Sequence, residues 1–204
     1  MNYEQMFNNT TTLCGEVVKE PKYSHQMFGE GFYESAIKVP RLSDQVDIIP
    51  FTVSERLLGD GMIEVGQTVT LSGQLRSYNK ICDGKSKLLL TLFVRDVLEN
   101  DPERNPNSID IVGYICKQPI YRTTPFKREI CDVLLAVNRA YNKSDYLPCI
   151  AWGRNARFIK DVPVGSKVAI NGRIQSRNYQ KTLENGVQET RVAYEVSVNR
   201  IELE

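Results

Sequence analysis

The sequence predicts an all-β chain: two tandem five-stranded barrels, each with a short helix between strands 3 and 4. Two observations carry this. The first is an internal repeat. Gly15, Pro21, Tyr23, Phe28, Arg41, Asp47, Pro50 and Arg56 recur 98 positions later as Gly113, Pro119, Tyr121, Phe126, Arg139, Asp145, Pro148 and Arg154. Gly66 and Gly73 recur at 99 as Gly165 and Gly172, so one residue has been inserted between the blocks. A period of this length is too long for a solenoid and matches one small domain. The second observation is the alternation of apolar and polar residues, which reads as strand almost throughout. The 204 residues accommodate two such domains, each large enough for a modest core.

In the first copy, residues 1–99, the alternation places strands at 11–19, 32–41, 46–53, 68–74 and 87–98, with a short helix at 54–58. Phe28-Gly29-Glu30-Gly31-Phe32 contains a Gly-x-Gly but lacks a third glycine and a following helix, so it reads as a hairpin turn. Residues 100–107 are polar, hold two prolines and form a semi-rigid linker. In the second copy, residues 108–204, the first strand is 110–116, with Gly113 at a bend. Residues 130–139 follow, with Val133, Leu135 and Val137 on one face, and then 146–152, where Pro148 argues for an edge or a bulge. Residues 153–161 have helical character, with Ala156, Phe158 and Ile159 facing a core. Strands at 167–174 and 190–203 complete the set, and a change of phase between Val198 and Ile201 indicates a bulge. Five strands with a helix between the third and fourth is the plan of the oligonucleotide/oligosaccharide-binding (OB) barrel. Another five-stranded barrel, such as an SH3-like one, shares the strand count, and the helix favours the OB plan.

Composition excludes several function classes. No apolar run approaches the roughly 18 residues of a membrane span, and Met1-Asn2-Tyr3-Glu4-Gln5 carries no basic leader, so a cytoplasmic protein without membrane contact is expected. Cys14, Cys82, Cys116, Cys131 and Cys149 include no Cys-x-x-Cys and are expected as reduced thiols. With His25 the single histidine, no metal site is expected. The chain lacks a P-loop, a Gly-x-Ser-x-Gly and a histidine-supported nucleophile, so neither enzyme activity nor a cofactor is expected. The net charge of +1 is unevenly divided. Residues 1–107 hold 11 Lys and Arg against 15 Asp and Glu, whereas residues 108–204 hold 15 against 10. Only the second copy has the balance of a domain that faces a polyanion.

Four blocks of the second copy identify a resemblance. Leu135-Ala136-Val137-Asn138-Arg139, Cys149-Ile150-Ala151-Trp152-Gly153-Arg154, Val164-Gly165-Ser166-Lys167-Val168 and Gly172-Arg173-Ile174-Gln175-Ser176-Arg177 resemble, in order, stretches of bacterial single-stranded DNA-binding proteins. Ile111-Val112-Gly113 and Pro119 also fit the family's first strand, and the resemblance spans nearly all of residues 109–204. It implies sequence-independent binding and protection of single-stranded DNA in replication, recombination or repair. The family stacks bases on aromatic side chains at four places. Here these fall on Tyr141 after the second strand, Tyr146 and Trp152 at the two ends of the third, and Tyr179 in the loop after the fourth. Every base has a π-face, so such platforms bind any sequence, at about 1–3 kcal/mol per stacked base. Arg122, Lys127, Arg139, Lys143, Arg154, Arg173 and Arg177 interleave with them, as phosphate tracking requires.

The first copy departs from the pattern at the same positions. Ser43, Ile48, Ser54 and Lys80 stand opposite Tyr141, Tyr146, Trp152 and Tyr179, and Tyr78 is the nearest aromatic substitute. This domain is therefore expected to bind DNA weakly and to act as architecture or as a partner-binding surface. Family members commonly end in a flexible tail with an acidic tip, and Ile201-Glu202-Leu203-Glu204 directly after the last strand provides no such tail. The family commonly assembles four OB barrels, so a two-barrel chain is expected as a homodimer. The alternative reading is a primosome-type accessory subunit or protein-binding adaptor without strong DNA affinity. RNA is a further option, because nothing obvious rejects a 2′-hydroxyl.

Overall fold

The computed structural model describes residues 8–59, 61–82, 85–182 and 186–204. The N-terminal residues 1–5 and the Cys82 side chain, both read from the sequence, lie outside the described set. The chain is all-β, with two OB barrels in tandem. The first comprises β1 (Asn9–Val17), β2 (Lys22–Met27), β3 (Glu30–Pro40), β4 (Val46–Ser54), α1 (Glu55–Leu58), β5 (Thr68–Cys82) and β6 (Lys85–Leu98). The second comprises β7 (Asn107–Ile115), β8 (Ile120–Thr123), β9 (Glu129–Arg139), β10 (Lys143–Trp152), α2 (Gly153–Ile159), β11 (Lys167–Thr182) and β12 (Gln188–Leu203).

Each barrel closes through the same ring. β1 pairs with both β3 and β5, β3 with β4, β4 with β6 in parallel, and β6 with β5. β7, β9, β10, β12 and β11 repeat the ring. The first strand of each plan is split in two. Glu16↔Lys38 and Val17↔Ile37 open a ladder on β3 that resumes at Lys22↔Glu34, across a break that holds Pro21. Ile115↔Leu135 and Ile120↔Asp132 do the same across Pro119. Proline has no amide donor, so the ladder lapses at the repeated proline. Strand β1 must also bend sharply from β5 to β3, and Gly15 permits it: a Cβ there would meet the Lys38 carbonyl oxygen at 2.1 Å.

Several boundaries differ from the sequence expectation, for physical reasons. Every residue of β2 is exposed, so it carries no apolar alternation. Strands β5 and β11 run on through Cys82 and Thr182 as two-stranded ribbons with β6 and β12, well past the expected ends at 74 and 174. From Arg177 onward no residue of β11 is buried, because a ribbon has water on both faces. Tyr179 therefore lies within β11, opposite Arg191, and not in a loop. Phe158 is exposed, because α2 turns Ala156 and Ile159 to the core.

Other expectations hold. Phe28 and Gly29 have φ of 52° and 83° and join β2 to β3 as a hairpin turn. The phase change in β12 is a register shift opposite Asn171/Gly172 that skips Asn199, and Ser72/Gly73 shows the same in the first barrel. Pro148 is the exception: expected at an edge or a bulge, it instead sits inside β10, which pairs with β9 through it without a register shift and bridges to β12 at Cys149 and Ile150. Cys14, Cys116, Cys131 and Cys149 are free thiols. Burial pushes the Cys131 thiol up to about 11 and that of Cys149 higher still.

The barrels are joined by an antiparallel ladder between β1 and β7, from Asn9↔Ile111 to Leu13↔Asn107. Its central pair, Thr11↔Ile109, consists of two repeat-equivalent positions, so a pseudo-twofold axis passes through it. The order of the 12-stranded sheet is symmetric about this junction: β2-β3-β4-β6-β5-β1 and then β7-β11-β12-β10-β9-β8. The same symmetry governs the side chains. Asn9 brackets the backbone of Leu75 with its amide, and Asn107 brackets Ile174 in the same way.

Candidate nucleic-acid interface

Strand β10 sets the geometry of the site. Its burial alternates so that Asp145, Leu147, Cys149 and Ala151 face inward, while Tyr146, Pro148 and Trp152 face outward. Tyr146 and Trp152 are six residues apart on one face, a span of about 20 Å at strand rise. Trp152 is 37% exposed, and its indole Nε1 donates to the Ser197 hydroxyl on β12 at 3.3 Å. Gly153 follows with φ of 50°, a conformation that turns the chain into α2 and leaves the indole at the rim. Tyr146 is 45% exposed, and its amide donates to the Ser77 hydroxyl of the first barrel at 2.7 Å. Tyr141 and Asn142 form the β9–β10 turn with φ of 61° and 54°, which projects Tyr141 almost fully into solvent. The register of β10, β12 and β11 puts Tyr179 near the Tyr146 end of this face, half-buried on the ribbon. All four expected aromatics thus share the outer side of the second barrel; Tyr141 is strongly exposed, and Tyr146 and Trp152 are partly so.

The cations divide into two groups. Lys127, Lys143, Arg154 and Arg177 are exposed around the aromatic face. Lys127 sits at the tip of the β8–β9 turn and Lys143 at the start of β10. Arg122 is on β8 and is paired with Asp132 at 2.8 Å, both side chains being well hydrated. Arg177 approaches Glu195 at 3.6 Å. Arg139 and Arg173 are placed differently, because buried carboxylates at the junction draw them inward. Arg139 reaches Asp145 at 3.4 Å, and Arg173 lies 3.6 Å from Asp47 of the first barrel.

Those carboxylates form a reciprocal pair that the sequence reading left without a role. Asp47, with no exposed surface, accepts from Arg41 Nε and Nη2 at 2.7 and 2.6 Å. Across the junction it accepts from the Ser176 amide and hydroxyl at 2.6 and 2.9 Å. Asp145 mirrors it, with Arg139 from its own barrel and Arg76 and the Ser77 amide from the other. Burial alone would raise the Asp47 carboxyl, but the Arg41 and Ser176 donors outweigh it and hold the group below its usual value. Burial likewise brings Arg76 down to about 10, against the opposing pull of Asp145. The signal was present in the sequence, since Arg41 and Asp47 are members of the repeat.

On the corresponding face of the first barrel, Ile48, Pro50, Thr52 and Ser54 take the outward places of β4. Phe32 and Phe93 pack there at 5.5 Å between centroids, with His25 stacked on Phe32 and the Arg76 guanidinium over Phe93. Among the described residues no group of His, Cys, Asp or Glu is placed to hold a metal, and no helix is long and apolar enough to cross a membrane.

Residues 106–203 match the single-strand binding protein family. The chain is 35% identical over 81 residues to single-stranded DNA-binding protein 1 of Staphylococcus aureus, covering 36% of this chain and 48% of that one. It is 32% identical over 81 residues to single-stranded DNA-binding protein A of Bacillus subtilis, covering 36% and 47%. The chain thus spans about half the length of the curated relatives it matches. The crystal structure of single-stranded DNA-binding protein from Thermus aquaticus superposes over 96% of this chain and 92% of its own, with a TM-score of 0.76 and 17% identity.

Proposed function

Because residues 106–203 match the single-strand binding protein family, we propose that the second barrel binds single-stranded DNA without reading sequence. The outer face of the second barrel is the platform. The observation that carries this reading is the arrangement of Tyr141, Tyr146 and Trp152 along β10 and its turn, with Tyr179 on the neighbouring ribbon. Stacking accounts for affinity that is indifferent to sequence, and Lys127, Lys143, Arg154 and Arg177 supply the phosphate contacts. Arg173 reaches across to Asp47 of the first barrel and Arg139 is held by Asp145 of its own, so both contribute to the field of the groove only at a distance. The reading assigns no catalytic role to any residue. Titration of the full chain with an unstructured oligonucleotide tests it: stacking on Trp152 quenches the one tryptophan of the sequence. An unchanged emission at saturating oligonucleotide would remove the platform.

The same reading includes assembly of four barrels from two chains. Support comes from the outer face of the β5-β1-β7-β11 junction, where Thr12, Ser72, Ser108 and Val112 present small side chains on a continuous sheet. Small residues allow a second sheet to approach closely, and a homodimer would be an isologous contact across this face. Sedimentation equilibrium is the measurement, and a monomer at micromolar concentration would dispose of the dimer.

A further inference from the structure

The outer face of the first barrel holds a cavity of about 620 Å³, lined among others by Lys19, Lys22, Glu34, Pro50, Tyr78 and Thr91. The register identifies its counterpart in the second barrel. Pro50 answers Pro148, Glu34 answers Asp132, Tyr78 answers Arg177, and Thr91 stands where β12 has Glu195. In the second barrel this place is closed by charge. Arg177 lies 3.6 Å from Glu195, Glu195 accepts from Gln175 at 2.8 Å, and Arg122 covers Asp132. In the first barrel both members of the Arg–Glu pair are gone. Thr91 bonds instead to the Thr52 hydroxyl at 3.0 Å, and the space left is the cavity.

What lines the opened space is chemically complete for one nucleotide. Tyr78 offers a ring that is 42% exposed. Burial and the Glu34 carboxylate both raise its phenol, and the two residues line the same cavity. Glu34 is fixed by the Ser24 hydroxyl at 2.7 Å, a neutral donor that leaves its charge in place. Lys22 is its cross-strand neighbour, and the backbone of Lys19 is anchored by the Ser35 hydroxyl at 2.6 Å. The volume lies within the roughly 300–1,000 Å³ of small-ligand sites.

We propose that this cavity takes one nucleotide of the bound single strand, selecting a base with an exocyclic amino group over thymine. Tyr78 stacks the base, Glu34 accepts from the amino group as a carboxylate does from cytosine N4, and Lys19 and Lys22 hold the adjoining phosphates. The first barrel then has a relocated contact and is not silent. This inference rests on the second barrel being the main platform.

Trp152 emission in the full chain reports binding of oligo(dC) and oligo(dT) at two lengths. One is about 8 nucleotides, within the reach of a single OB barrel, and the other about 30, enough to extend beyond it. Tyr78→Ala is expected to weaken the long oligo(dC) at least about five-fold and leave the short one unchanged. Tyr78→Phe, which keeps the ring, should bind as wild type does. The dC-over-dT affinity ratio should be higher for long than for short strands, and Glu34→Gln should remove that difference. A Tyr78→Ala protein that melts normally and binds long oligo(dC) as tightly as wild type overturns the proposal and leaves a protein segment as the occupant to test. If no oligonucleotide quenches Trp152 in the wild type, the reading of the second barrel fails and takes this inference with it.

Discussion

Replacing Asp47 by Asn tests the junction between the barrels. The substitution keeps the shape and one acceptor oxygen. That oxygen can still receive the Ser176 amide and hydroxyl, but the new amide nitrogen must then face Arg41 Nε, where two donors oppose each other. The charge that held Arg41 and Arg173 is lost as well. Breaking a fully buried ion pair costs about 3–5 kcal/mol. The Arg41 and Arg173 side chains are 19% and 32% exposed, so water relieves part of the loss, and about 2–3 kcal/mol is expected. For a chain of this size each kcal/mol moves the melting temperature by about 2–4 °C, which gives a fall of about 4–12 °C at neutral pH. The pH dependence supplies an independent check. The folded Asp47 carboxyl is held below its ordinary value of 3.8, so its contribution is complete above that value and disappears as pH falls through the lower folded one. Wild type and Asp47→Asn should therefore converge on acidification below about pH 4 and stay apart above it. Thermal melts followed by circular dichroism across this range measure both effects. A neutral-pH difference under about 0.5 kcal/mol, or curves that stay parallel into acid, would refute the assignment of Asp47 as a bridge between barrels.

The other predictions concern the axis, the platform and the groove. Thr11 is fully buried at the pseudo-twofold pair and its hydroxyl has no partner, so Thr11→Val should leave stability unchanged or raise it by up to about 1 kcal/mol in a denaturant melt. Trp152→Ala should weaken single-strand binding by about 1–3 kcal/mol with a nearly unchanged salt slope, measured by anisotropy of a labelled oligonucleotide. A normal melt must accompany that result, since the indole also bonds to Ser197. Arg177→Ala should lower the log–log salt slope by somewhat under one unit and weaken all sequences alike.

The sequence legibly encoded the fold wherever burial imposes a period. The five strands of each plan, the helix after the third and the bulge in β12 all leave an apolar alternation or a break in one. β2 and the outer ribbons do not, because a strand with water on both sides is under no such constraint. The aromatic set of the site was legible for a different reason: stacking needs particular residue types at fixed places, and Tyr141, Tyr146, Trp152 and Tyr179 occupy them. The fate of the arginines was not. Arg139 and Arg173 have the same composition signal as Arg154 and Arg177, and only the partner decides between them. For Arg173 that partner is Asp47, 126 positions away in the other barrel.

The two halves have diverged unequally, and the junction explains how they could. Around the pseudo-twofold axis the requirements remain reciprocal: Asp47 and Asp145, Ser77 and Ser176 each satisfy a buried group that the other half presents, while Asn9 and Asn107 brace equivalent backbone in their own halves. Losing one member would orphan its partner in a dry interface, where an unmet donor or charge costs about 1–3 kcal/mol or more. The outer faces carry no such mutual obligation. Once both barrels lie on one chain, each face can change alone. Ser54 can replace a tryptophan, and Thr91 and Tyr78 can replace an ion pair, without disturbing the other barrel. The asymmetry of charge and aromatics between the halves is what such a fused pair permits and a true homodimer forbids, because in a homodimer every substitution is made twice.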